Sequence, residues 1–251
     1  MSSSSSPKTL ILIGLYPDAQ LPPQVAAAFA KAGVTNLALI GPSQSYLEEV
    51  KNRLLEQQSG ASVVLQEVDI TSPESVGIAS HNIRAELGAW DILVNFLSPP
   101  AVQRTSIRGA DEDEWWNVFE RNVKSLHHIG RHFFSKMRNG AVLINVLSSN
   151  IGGGQTGKNS SESASQLAAV RVVEYLGKEN ESTGLRVVNV HAATSEQASS
   201  NLGSFSNGTI APEDFLVWCA SDEAAFLGGK TVSASAGIGR LLEASRPTKP
   251  I

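Results

Sequence analysis

The feature that most restricts this chain is a series of short apolar runs without polar alternation: "TLILIGL", "NLALIG", "DILVNFL", "AVLINVLSS" and "LRVVNVHAA". A strand that is apolar at every position has both faces buried, as in a parallel sheet covered by helices on either side. The segments between them carry helical punctuation. "PPQVAAAFAKAG" has prolines at its start and Gly33 past its end, and Ser72-Pro73 opens "SPESVGIASHNIRAELG" as cap and first turn. "DEDEWWNVFERNVKSLHHIGRHFFSKM" reads as one long helix whose acidic first turn suits the helix dipole. "SQSYLEEVKNRLLEQQS", "SESASQLAAVRVVEYLGKEN" and "PEDFLVWCASDEAAFL" are further helices, and "SVVLQEVDI" and "KTVSAS" further strands. Six or seven βα repeats with right-handed crossovers predict one doubly wound, Rossmann-like α/β domain over 8–251. Residues 1–7, "MSSSSSP", read as a disordered tail.

Charge and cysteine content remove several functions. A net charge of -4 with no run of lysine and arginine leaves no footprint for nucleic acid. The single cysteine, Cys219, rules out an intramolecular disulfide and suits a reducing compartment. The N-terminus lacks an apolar signal core, and no apolar run approaches the ~20 residues that span a bilayer. The sequons at Asn159, Asn180 and Asn207 therefore carry no weight, and a soluble, cytoplasmic protein is expected.

The order and spacing of these segments resemble the short-chain dehydrogenase/reductase family from about Lys8 to Gly239. "DILVNFL" is similar to that family's fourth strand "DVLVNNAG", and "GAVLINVLSS" to "GRIVNISS". "STGLRVVNV" is similar to "PHGIRVNAV", and "LVWCASDEAAFLGGKTV" to the C-terminal "LASDEASYITGQTL" type of segment. The resemblance places the family's catalytic asparagine on Asn122, in "WWNVFERNV", and its serine on Ser149. It also implies a homodimer or homotetramer joined through the long central helices.

Two family sites are altered. The loop Thr-Gly-x-x-x-Gly-x-Gly, whose glycines admit a pyrophosphate at a helix N-terminus, corresponds to "IGLYPDAQ". Gly14 remains, and Asp18 and Gln20 replace the other two glycines. A carboxylate against phosphate at intermediate dielectric costs on the order of a few kcal/mol. After the second strand the chain reads "GPS", Gly41 to Ser43; "NNAG" becomes "NFLS", Asn95 to Ser98; and the Pro-Gly after the sixth strand becomes Ala192-Ala193, after His191. Asp69 is either the family's adenine contact or a cap of the turn that follows it. The expectation at this point is that NAD(P) binding is lost and that no cofactor is used.

The second altered site is the Tyr-x-x-x-Lys pair, whose lysine activates the tyrosine as acid/base. "YSASK" corresponds here to "ESASQ", which puts Glu162 and Gln166 in the two positions. Glu162 reads either as an acid/base in an apolar pocket or as a dipole-favoured helix N-terminal residue. His191, at the C-terminal end of a strand, can join Ser149 and Glu162 there. Tyr16, Phe96 and Leu97 place bulk where the cofactor lies in the family, either filling the cleft or walling an apolar substrate pocket with Gln166. The expected function is a cofactor-independent isomerase, lyase or cyclase acting on a small apolar biosynthetic intermediate. The alternatives are a noncatalytic partner of an active relative and an atypical NAD(P)-dependent oxidoreductase.

Three motifs are read as decoys. "GGGQTGKN" lacks the hydroxyl that would reach Mg²⁺ in a phosphate-binding loop and reads as a lid. His128 and His132 stand one turn apart without a third ligand, and read as interface or surface rather than metal. "GIGR" near the C-terminus is expected to form only a turn. Of Trp115 and Trp116, one is expected in the core and the other against a neighbouring helix.

Overall fold

A computed structural model of the chain describes residues 8–96, 106–147, 160–192 and 210–245. Seven strands form one parallel sheet in the order β3-β2-β1-β4-β5-β6-β7. They are β1 (Thr9–Ile13), β2 (Asn36–Gly41), β3 (Ser62–Glu67), β4 (Trp90–Phe96), β5 (Met137–Leu147), β6 (Arg186–His191) and β7 (Lys230–Ser233). The order reverses between β1 and β4. In an open α/β sheet, that reversal opens a crevice at the carboxyl ends of the strands, where ligands bind.

The strands that lack polar alternation are those buried on both faces. Leu10 and Leu12 of β1 pack with α1 (Leu21–Lys31), α2 (Gln44–Gln57) and α7 (Pro212–Cys219). Ile11 and Ile13 pack on the other side with α3 (Pro73–Leu87), α5 (Ser125–Phe133) and α6 (Ser160–Glu179). Alternate residues of a strand point to opposite faces, so one apolar run serves both layers. Cys219 lies fully buried in the first layer, and burial pushes its thiol up to about 12.

The long helix is interrupted where it matters. It runs as α4 (Glu112–Phe119), a π-helical turn (Glu120–Lys124), α5, and a closing 3-10 turn (Phe134–Lys136). Asp111 caps α4 by accepting from the Glu114 N–H at 3.0 Å. The π turn inserts one extra residue without breaking the helix, and such turns favour functional positions. Here it carries Asn122, which is buried.

Three of the expectations need correction. "GIGR" opens a helix, α8 (Ile238–Ser245), because Ile238, Leu241 and Leu242 recur at helical spacing and pack against the first core layer. His128 is a buried residue, not a surface one: its Nδ1 lies 3.2 Å from the Ile70 carbonyl oxygen, while His132 lies against Gly77 of α3. Neither tryptophan of the pair enters the core. Trp115 is half-buried and donates through Nε1 to Ser160 Oγ at 2.9 Å, and Trp116 is exposed, 6.4 Å from the Trp115 ring.

Candidate active site

The head of α6 and the π turn meet in a buried polar knot. Asn122 Nδ2 donates to Ser165 Oγ at 2.9 Å, and Ser165 Oγ donates to the Glu162 backbone carbonyl at 3.0 Å. Gln166 Nε2 donates to Glu162 Oε1 at 3.2 Å, with both side chains buried. Three candidate residues, Asn122, Glu162 and Gln166, are thus brought together, with Ser165 as the link. Helical geometry explains it: residues three and four apart share a face, so Glu162, Ser165 and Gln166 all point inward. Ser149 lies outside the described residues.

A second group sits where β1 and β4 end. Gly14 has φ +94, and a Cβ there would overlap the Phe96 carbonyl oxygen. The Gly14 and Leu15 N–H groups both donate to the Ile40 carbonyl, at 3.0 and 3.1 Å. Gly41 repeats the constraint on the next strand, where a Cβ would overlap the Leu15 carbonyl oxygen. Phe96 is buried in the first core layer and Tyr16 is half-buried in the loop, whose backbone turns through an Ala19 N–H to Tyr16 carbonyl bond of 3.0 Å. Leu97 lies outside the described residues. His191 closes β6, opposite Leu147 of β5 and Ser233 of β7.

Asp69 serves as the turn cap. Its Oδ1 accepts from the Thr71 N–H at 2.9 Å and the Thr71 hydroxyl at 2.7 Å. The bond from that hydroxyl is the main reason its carboxyl is held below the usual range. Among the described residues no group of histidine, cysteine and carboxylate side chains could hold a metal ion, and no helix is long and apolar enough to cross a membrane.

One buried feature escapes a search for catalytic types. Asn95, Asn145 and Asn189 stand in register on β4, β5 and β6. Asn95 Nδ2 donates to Asn145 Oδ1 at 3.0 Å, and Asn145 Nδ2 to Asn189 Oδ1 at 2.9 Å. The signal for it was visible: one asparagine recurs inside each of three strand runs that are otherwise apolar.

The β1–α1 loop keeps part of what a nicotinamide nucleotide requires. The close turn at Gly14 and the start of a helix directly after the loop are both present, and the N-cap residue Gln20 makes no side-chain cap bond that would occupy the helix end. Pro22 and Pro23 remove two N–H donors from the first turn, so phosphate contacts there fall to fewer groups.

Comparison with known proteins agrees with this architecture. The family described as short chain dehydrogenase matches residues 21–201. A short chain dehydrogenase/reductase of Claviceps purpurea is 25% identical over 228 residues, covering 87% of this chain and 75% of that one. Among solved structures, a short chain oxidoreductase of Pseudomonas aeruginosa PAO1, described as containing an atypical catalytic center, aligns with a TM-score of 0.76. It is 16% identical, covering 93% of this chain and 97% of that one. A 3-ketoacyl-(acyl-carrier-protein) reductase of Brucella melitensis, complexed with NADH, aligns with a TM-score of 0.75 at 19% identity, covering 90% and 96%.

These findings overturn the expectation that NAD(P) binding is lost and that no cofactor is used. The fold is shared with a reductase solved with NADH bound, and the like-charge argument weakens on the structure. Asp18 is exposed. In water a unit charge pair at 4 Å costs only about 1 kcal/mol, well below the figure for an intermediate dielectric. By its fold and its family match, the chain belongs to the short-chain dehydrogenase/reductase family.

Proposed function

We propose that the chain is an oxidoreductase that uses a nicotinamide nucleotide and acts on a small carbonyl or alcohol substrate through an altered centre, with the Glu162 carboxyl in the proton-transfer position. The observation that carries this reading is the placement of Glu162: buried at the head of α6, hydrogen-bonded to Gln166, and tied through Ser165 to Asn122. The oxidoreductase names of the relatives favour it over a cofactor-free isomerase, lyase or cyclase.

A bound nicotinamide nucleotide would supply or accept the hydride, held at the Gly14 turn and the head of α1. The chain's own residues handle the proton. In the reducing direction Glu162, as the acid, gives a proton to the oxygen of the carbonyl being reduced; in the oxidising direction, as carboxylate, it removes the alcohol proton. Gln166 carries no charge, so it orients the carboxyl through its N–H instead of activating it as an ammonium would activate a phenol. Asn122 and Ser165 fix the first turn of α6 to the π turn and so fix the height of the carboxyl. His191, at the rim of β6, and Ser149 are assigned to substrate contact.

The test has two parts. Calorimetric titration of the chain with NADH and NADPH should give a dissociation constant below a millimolar for at least one of them. Against a panel of small ketones and alcohols, Glu162→Gln should lower kcat by about a hundredfold or more, the usual scale for losing a general acid or base. Binding of neither nucleotide would sink the reading, and so would an unchanged kcat in the variant.

A further inference from the structure

We propose that Trp115 is a positioning residue for the Glu162 carboxyl, acting through the bond from its indole N–H to the first residue of α6. The inference rests on the proton-transfer reading of Glu162 above and names a residue that sets how firmly that group is held.

Glu162 is the third residue of α6, inside its first turn. That turn is the weakest part of a helix: its leading N–H groups have no intrahelical acceptors, and it unwinds at the loss of few bonds. A carboxyl carried there is held no better than the turn itself, and a misplacement of about 1 Å at a reacting group can cost on the order of a hundredfold in rate. Gln166 cannot anchor the turn to the rest of the fold through its bond to Glu162, since both belong to the same helix. The Asn122–Ser165 bond anchors α6 three residues after Glu162. The bond from Trp115 Nε1 to Ser160 Oγ, 2.9 Å long, anchors it two residues before.

Both anchors come from one element. Trp115 and Asn122 stand seven residues apart on the long helix, about two turns, and each reaches a serine of α6. Glu162 is thus gripped on either side along the helix. Trp115 is itself well fixed. Its N–H donates to the Asp111 carbonyl at 2.9 Å, in the turn that Asp111 caps. Its ring packs against Phe119, with centroids 4.8 Å apart, and beside Trp116. An indole has a single donor on a rigid plane and only two side-chain torsions, so once the ring is packed its N–H points one way. Trp115 and Ser160 are both half-buried, where water competes less for the serine than it would on an open surface.

The test takes two readouts on the full chain. Amide hydrogen exchange, followed by mass spectrometry without nucleotide or substrate, reports on the head of α6 directly. Trp115→Phe keeps a ring against Phe119 and removes the N–H; Ser160→Ala removes the acceptor. Each should speed exchange several-fold at Ala164, Ser165 and Gln166, whose helical N–H groups bond back to residues 160–162, and leave the sheet unchanged.

Kinetics at saturating nucleotide, with a ketone that the parent reduces, read the consequence. Each variant should lower kcat about three- to tenfold, the scale of one lost hydrogen bond, with KM held within about twofold. The double variant should fall no further than the single ones, because both remove the same bond. Ser160→Thr, which keeps a hydroxyl, and Trp116→Phe, which alters only the exposed neighbour, should both stay within about twofold of the parent. Unchanged exchange in the two single variants would overturn the inference. So would faster exchange with an unchanged kcat, which would make the bond structural only, and so would additive losses in the double variant or a rise in KM as large as the fall in kcat. Each of those results leaves the Glu162 reading standing, since Glu162→Gln tests it separately; an unchanged kcat in Glu162→Gln would remove both.

Discussion

At the scale of single residues, the molecule is most exacting where a side chain would collide with backbone. Gly14 combines a positive φ with a position against the Phe96 carbonyl. Gly14→Ala therefore adds left-handed backbone strain to a clash with an atom that cannot rotate away, and should cost about 2 kcal/mol or more. Urea unfolding of the variant beside the parent would read that loss, and an unchanged midpoint would mean that the loop relaxes freely. Gly14 was legible in the sequence as the glycine that the resemblance places in the family's cofactor loop. Ser165 was not, although it sits inside the quoted "ESASQ", because a serine between the candidate residues Glu162 and Gln166 looks like helix filler until its hydroxyl is seen to join Asn122 to Glu162.

At the scale of elements, the strand runs announced themselves because burial on both faces leaves no polar residue to confuse the period. The asparagines at 95, 145 and 189 are the exceptions, and their side chains pair with one another across the sheet. Removing the middle one should leave the Asn95 donor and the Asn189 acceptor buried without that partner. Asn145→Leu should therefore lower stability by about 2–4 kcal/mol, measured as a shift in the urea midpoint at constant slope. A smaller loss would show that water enters to replace the amide. The π turn was not legible from periodicity: one inserted residue in a long amphipathic helix shifts the apolar stripe by less than the pattern's own scatter. Helix α8 was missed for a different reason, since a Gly-x-Gly pair drew the reading towards a turn and the apolar spacing of Ile238, Leu241 and Leu242 follows only afterwards.

At the scale of the whole molecule, the sheet order and its two packed layers follow from the alternation of elements, and the family match confirms the scaffold. The substrate is another matter, because no residue pattern in the sequence is particular to one ligand. The single thiol at Cys219 gives the fold a chemical clock. A maleimide or disulfide reagent can reach this sulfur only when the first layer opens, so labelling near neutral pH should proceed at the rate of unfolding events and saturate at one adduct per chain in urea. Above about pH 9 the unfolded chain ionises this thiol while the folded one, with its group near 12, does not. Cys219→Ala should consequently show less alkaline destabilisation than the parent, and fast labelling under native conditions would mean that the layer beneath α7 breathes far more readily than its packing implies.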